Sequence, residues 1–231
     1  MKQIGLIVNP VAGMGGSVGL KGTDGNVEEA RQRGAEPHAN DRARITLVSL
    51  ADEAGLHFIT CSGAMGADIL KVAGCRDFEI VYTPPAQSSA DDTREAARKF
   101  RNAGVDLILF CGGDGTARDI FGVVDQDIPL LGIPAGVKMY SAVFAIDPAA
   151  AADLVREFDP RRLRDSEIMD VDEVAYRQNV LKTQLFGIAR TPAAAGRVQV
   201  SKQVYEEPDE ERAKAEIARF MQEVMLPGTL Y

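Results

Sequence analysis

Cysteine and histidine are scarce in this chain of 231 residues, with three of the first and two of the second. Cys61, Cys75 and Cys111 are too few and too scattered to staple a small domain or to hold zinc, and an odd number suits a reducing compartment. His38 and His57 lie far apart in sequence, which argues for incidental roles over a shared metal. No apolar run is long enough to span a membrane or to form a secretory core. The N-terminal run, Ile4 to Val8, holds five residues and reads as a strand. Basic residues do not dominate: 26 Lys and Arg against 34 Asp and Glu give a formal charge of −8. The basic stripe of a nucleic-acid binder is therefore missing. Repeats and low-complexity tracts are absent as well. These absences point to a cytoplasmic protein with neither nucleic acid nor membrane as partner. They do not exclude an anionic ligand, since converging backbone N–H groups bind phosphate on an acidic protein.

What is present is an ordinary globular composition, 45% hydrophobic and 26% charged, with enough apolar residues for a sizeable core. Strand and helix signals alternate through the first two-thirds. QIGLIVN (3–9), LHFIT (56–60), FEIVYT (78–83), VDLILFC (105–111) and PLLGI (129–133) read as strands. Residues 41–54 carry Ile45, Leu47, Val48 and Ala51 at helical spacing. MGADILKVAG (65–74) is a short helix closed by Gly74. A third helix starts at the N-cap Ser89, has Asp91 and Asp92 in its first turn, and ends before Gly104. The strand at 105–111 is apolar on both faces, which predicts an interior position in a sheet covered by helices on both sides. The predicted fold is α/β, a doubly wound and mainly parallel sheet. A helix and a charged stretch (147–165) lead to a predicted β-hairpin at 167–190 with a turn at Arg177–Asn179. An amphipathic helix over 206–225 follows. We divide the chain into a nucleotide-binding α/β domain, residues 1–160, and a smaller β-rich segment, 161–231. The second segment reads as part of a larger, incomplete second domain.

Three loops at strand ends carry the chemistry, where open α/β sheets bind ligands. The first, NPVAGMGGSVGLKGTDG (9–25), contains Gly13, Gly15, Gly16, Gly19, Gly22 and Gly25. Such density costs entropy and fits close approach of backbone N–H groups to an anion, with Lys21 adding charge. A mobile turn-rich loop fits the same residues. Neither a Walker A loop nor the usual dinucleotide spacing is present. The second loop is CGGDGT (111–116). Gly112, Gly113 and Gly115 can hold positive φ and offer N–H groups, and Thr116 can donate its hydroxyl. Asp114 has two readings. It is a helix N-cap contributing about 1 kcal/mol, or it takes the proton of an attacking hydroxyl. A carboxylate near a phosphate is repelled by about 4 kcal/mol at about 4 Å, so its presence makes sense where phosphoryl transfer to an alcohol needs a base or a Mg²⁺ ligand. The third loop, GIPAGVKMYSAVFA (132–145), is expected to bring Lys138 to the start of a helix MYSAVFA, where phosphate binds. An exposed lysine after a turn fits equally.

Together GGDGT (112–116), NPVAGMGG from Asn9 and GIPAGVKMYSAVFA (132–145) resemble the predicted ATP-NAD kinase family. That family belongs with diacylglycerol and sphingosine kinases and 6-phosphofructokinases. The closest likeness is to the bacterial and archaeal branch that includes acetoin-catabolism-associated members, and it covers residues 1–205. The resemblance implies phosphorylation of the 2′-hydroxyl on the adenosine ribose of NAD, with ATP or polyphosphate as donor and Mg²⁺ arriving with the nucleotide. It implies Asp114 as the hydroxyl-activating residue and Gly112, Gly113, Gly115 and Thr116 as the loop around the phosphates. Asn9, Gly13, Gly15 and Gly16 match the N-terminal phosphate turn. Lys21, Asp24 and Lys138 belong to the branch's own motifs. A homo-oligomer is expected from the family, and an unpaired β edge near 165–205 fits one. The Asn-Glu pair that holds NAD in characterised members is not found, and the chain stops at PGTLY where relatives continue. A nucleotide-binding regulatory protein without turnover, or a kinase of a lipid or sugar alcohol, are the alternatives.

Overall fold

Alternating side chains build two cores, one on each face of a single sheet. In β1 (Lys2–Val8), Ile4, Leu6 and Val8 join one core and Ile7 the other. In β4 (Leu107–Gly112), Leu107, Leu109 and Cys111 oppose Ile108 and Phe110, and every residue of the strand is buried. This is the two-faced burial expected for the interior of a parallel sheet. The structure, a computed structural model, describes residues 1–20, 27–135, 139–171, 183–194 and 196–200. β2 (Leu56–Cys61), β3 (Phe78–Tyr82) and β5 (Leu130–Pro134) complete a five-stranded sheet in the order β3-β2-β1-β4-β5. All neighbours are parallel. Thus β1 is the middle strand and β4 lies between it and β5.

The helices α1 (Met14–Ser17), α2 (Val27–Gln32) and α3 (Ala39–Val48) follow β1, and α4 (Ala67–Ala73) follows β2. The others are α5 (Ala90–Ala103), α6 (Asp114–Val124) and α7 (Pro148–Arg156). α3, α4 and α7 cover the first face, while α5 and α6 cover the second. Each fully buried Leu, Ile, Val or Phe contributes roughly 1.5–3 kcal/mol, so both faces are needed. The helix expected at 41–54 starts earlier and stops at Val48. Its buried residues are Ala39, Ala43, Thr46 and Leu47, whereas Ile45 and Val48 are about half exposed. The small residues let α3 approach α7, where the Thr46 hydroxyl donates to Pro148 O at 2.8 Å. At the rear of the sheet the Lys2 ammonium donates to Arg156 O at 2.6 Å, a cation on the negative end of α7.

α5 begins as expected. Ser89 is its N-cap in a reciprocal capping box with Asp92, and Gly104 closes it in the left-handed region at φ 72°. Asp92 Oδ2 accepts from the Ser89 N–H and hydroxyl, and Oδ1 accepts from the Tyr82 hydroxyl at 2.6 Å. Burial pushes the Asp92 carboxyl up, but the Tyr82 and Ser89 bonds more than offset this and leave its pKa below the ordinary 3.8. The same bond to Asp92 holds the Tyr82 phenol up at about 12. Tyr82 therefore contributes stability in full below pH 10 and loses it as pH rises through about 12. Asp92 contributes above the ordinary carboxyl pKa and loses its share as pH falls through its depressed one. In a spectrophotometric titration Tyr82 is expected to ionise late, near pH 12, and Tyr82→Phe to remove that step. A lost step near pH 10 instead of 12 would contradict the Tyr82–Asp92 bond.

A second, antiparallel sheet pairs β6 (Leu163–Val171) with β7 (Thr183–Pro192), with a register shift between Ile168 and Met169. These strands bracket the expected hairpin. The turn at Arg177–Asn179 and the helix at 206–225 lie outside the described residues. β6 packs on α6 and β7 on β5. The Thr191 hydroxyl donates to Leu130 O at 2.7 Å, covering the edge of the parallel sheet.

Candidate active site

Strand order locates the crevice. From β1 the chain moves outward to β2 and β3, then returns to the other side of β1 as β4. The loops after β1 and β4 therefore part at their carboxyl ends, and ligands of open α/β sheets bind at such a switch point. Asn9 opens the first loop. Its N–H donates to Cys111 O at 2.9 Å, and its Oδ1 accepts the Val11 N–H at 3.2 Å in an Asx-type turn. Its Nδ2 donates to the Thr116 hydroxyl at 3.1 Å, tying the first loop to the second. Gly13 sits at φ 82°, where a side chain would be strained. Gly15 and Gly16 lie in the single turn of α1, and Gly15 O accepts the Leu20 N–H at 2.8 Å. Met14, 1% exposed, packs with Ala30 and Ala35 and anchors this part of the loop to α2.

The second loop makes no use of its glycines' left-handed freedom. None of Gly112, Gly113 and Gly115 holds a positive φ. Gly112 ends β4, and a Cβ there would lie 2.6 Å from Thr116 Cβ and Oγ1. Absence of a side chain at Gly112 thus lets α6 fold back close to its strand. Gly113 is the N-cap of α6, in extended backbone at φ −113°, and a Cβ there would meet nothing within 4 Å. Gly115 and Thr116 are in the first turn of α6. Gly113, as N-cap, brings no side-chain bond to the helix start, and the positive end of α6 lies at the carboxyl end of β4.

Asp114 is not the N-cap but the first residue of α6, and its carboxylate turns away from its own helix start. Oδ2 accepts the Tyr140 N–H at 2.9 Å and Oδ1 accepts the Ser141 N–H at 2.8 Å. Asp114 is 8% exposed. The two bonds fix the plane of the carboxylate and fasten the second loop to the third. They also explain why MYSAVFA is not the expected helix. Its N–H groups serve distant acceptors: Tyr140 and Ser141 serve Asp114, Ala142 serves Glu167 O, and Ala145 serves Gly132 O. A further bond joins Ala135 N–H to Gly112 O at 3.1 Å.

The structure brings Asn9, Gly112, Gly113, Asp114, Gly115 and Thr116 together at one end of the sheet, joined by the Asn9–Thr116 bond. Lys21, Asp24 and Lys138 lie outside the described residues. The sequence reading missed Tyr140 and Ser141, whose backbone rather than side chains carries the contact. The breakers Pro134 and Gly136 ahead of them were the available signal against a helix. Farther along α6, Asp119 is 7% exposed and meets Arg94 at 2.7 Å and Arg118 at 3.7 Å. Arg118 also pairs with Asp170 at 2.6 Å and lies 5.5 Å from the centre of the Phe186 ring. Bonding to Asp119 raises the pKa of Arg94 further. These arginines balance internal carboxylates. Among the described residues, no three His, Cys, Asp or Glu side chains gather to hold a metal ion. No described helix is long and apolar enough to cross a membrane.

The family description "ATP-NAD kinase N-terminal domain" matches residues 4–159 of this chain. No curated protein matches it significantly. Solved structures similar to it include one described as "a putative diacylglycerol kinase from Bacillus anthracis str. Sterne". That structure is 19% identical over 74% of this chain and 46% of its own, with a TM-score of 0.40. A second structure with the same description gives 18%, 74%, 45% and 0.40. A third, of a diacylglycerol kinase from the same organism, gives 19%, 74%, 46% and 0.39. This chain spans less than half the length of these structures.

Proposed function

The chain belongs to the ATP-NAD kinase N-terminal domain family, and from that membership we propose that it transfers a phosphoryl group to the 2′-hydroxyl of the adenosine ribose of NAD. ATP, or in its place polyphosphate, is the donor, and NADP is the product. The observation that carries this reading is Asp114: a buried carboxylate at the switch point, held in one orientation by two backbone N–H groups. In the proposed step the 2′-oxygen forms a bond to the γ-phosphorus while the bond to the β-bridging oxygen breaks. The hydroxyl proton passes to Asp114, and ADP leaves. A positioned base of this kind contributes roughly 10²–10⁴-fold to the rate.

Gly112, Gly113, Gly115 and the Thr116 hydroxyl form the loop around the phosphates, at the positive end of α6. Asn9, Gly13, Gly15 and Gly16 form the matching turn after β1. Lys21 and Lys138 supply point charges to the phosphates, and Asp24 completes the first loop. Mg²⁺ is implied by the family as the nucleotide's counter-ion and supplies charge neutralisation when bound. Such an ion is held mainly by phosphate oxygens and water. The family match ends at residue 159, which supports dividing the chain near 160, with 161–231 as part of a second domain. We further infer a homo-oligomer, to be read by light scattering.

The test is an acceptor panel on the purified chain with ATP and with polyphosphate, using NAD, NADH, diacylglycerol and a sugar alcohol. NADP formation from NAD is expected. Transfer to lipid or sugar without NADP overturns the acceptor. Nucleotide binding by calorimetry with no transfer at all overturns the enzymatic reading in favour of a regulatory binder.

A further inference from the structure

The segment after β5 bonds on two sides. Toward the crevice, its Tyr140 and Ser141 N–H groups hold the Asp114 carboxylate. Away from it, the Ala142 N–H donates to Glu167 O at 2.8 Å. The Ser141 hydroxyl donates to Met169 O at 2.9 Å and accepts the Met169 N–H at 3.0 Å. Glu167 and Met169 are two residues apart on β6, so their backbone groups leave the strand on the same side. A neighbouring strand would meet Met169 with one C=O and one N–H. Here a single hydroxyl oxygen does both. The contact coincides with the register shift between Ile168 and Met169. Ser141 is 0% exposed, so water does not substitute for its hydroxyl.

We propose that Ser141 is a positioning residue through which the β6–β7 pair fixes the Asp114 carboxylate. Its hydroxyl pins the segment to β6, and the N–H of the same residue pins Asp114. The consequence for rate rests on the phosphotransfer reading above; the consequence for structure does not. Misplacing a reacting group by about 1 Å costs on the order of a hundredfold in rate.

The experiment compares Ser141→Ala, Ser141→Thr and Ser141→Cys in the full chain. In the alanine variant kcat for NADP formation is expected to fall roughly tenfold to a hundredfold, with KM for ATP and NAD within about threefold. Threonine, which keeps the hydroxyl, recovers most of the rate. Amide hydrogen exchange at Tyr140 and Ser141 is expected to quicken by about tenfold in the alanine variant, while the core strands keep their protection. Cysteine, a weaker donor and acceptor, falls between and serves should the alanine variant not fold. Unchanged exchange at Tyr140 and Ser141 overturns the assignment whatever the activity. Equal losses in alanine and threonine, a loss through KM alone, or a cysteine variant indistinguishable from wild type also overturns it. If the wild-type chain forms no NADP, NAD fails as the acceptor, and if it transfers to no acceptor the phosphotransfer reading fails; in either case the exchange measurement still decides the role of Ser141.

Discussion

Asp114→Asn is expected to reduce kcat for NADP formation by about 10²–10⁴-fold and to lower thermal stability at the same time. The first effect follows from the proposed proton transfer, since an amide does not take a proton from an alcohol. The second follows from the bonds already made. Both carboxylate oxygens accept backbone N–H groups, from Tyr140 and Ser141. The asparagine amide matches one of them and turns its own N–H toward the other. A buried donor left facing a donor costs about 1–3 kcal/mol, which is roughly 2–4 °C in Tm for each kcal/mol at this size. The two effects separate on measurement. A variant that melts a few degrees lower yet turns over at the wild-type rate would leave Asp114 a structural clamp and remove the base.

Gly112→Ala and Gly113→Ala are expected to behave oppositely, although the two glycines are adjacent. At Gly112 the new methyl group lies 2.6 Å from Thr116 Cβ, on a helix that cannot retreat without leaving β4. Overpacking of this kind costs about 1–3 kcal/mol. It also displaces the Thr116 hydroxyl from Asn9, opening the link between the first two loops. At Gly113 the backbone is extended and nothing stands within 4 Å of the added carbon. Stability should therefore change by about 1 kcal/mol or less, the scale of an N-cap exchange. If an anion sits on the start of α6, that same methyl group intrudes on it, and calorimetric affinity for ATP should fall by roughly tenfold or more (about 1.4 kcal/mol). A stable Gly113→Ala protein that binds ATP unchanged would remove the phosphate from this helix end.

Much of the parallel sheet could be read from residue order because its signals are local. The unbroken apolar runs of β1 and β4, the Ser89 cap with Asp92 three residues on, and Gly104 at a left-handed helix end each act within a few residues. Two kinds of feature escaped. On α3 the apolar residues Ile45 and Val48 mark a helix but not its buried face. That face is chosen by Ala39 and Ala43, small enough for a close neighbour. In MYSAVFA the composition favours a helix, yet the acceptors that win its N–H groups belong to Asp114, Glu167 and Gly132. No window over residues 139–145 contains Asp114 or Glu167. The same blindness left the cap reading of Asp114 open. The GGDGT pattern marked the right place, while the partner that orients its carboxylate lies 26 and 27 residues downstream.

The anchoring of Lys2 on the end of α7 has a practical side for anyone measuring binding on a surface. The seven residues of extended β1, Lys2 to Val8, carry the chain to Asn9, a span of roughly 23 Å. An affinity tag or biotin attached ahead of Lys2 would hang from the back of the sheet. Captured that way on a sensor chip, the protein presents the carboxyl ends of β1 and β4 to the flowing buffer instead of to the matrix.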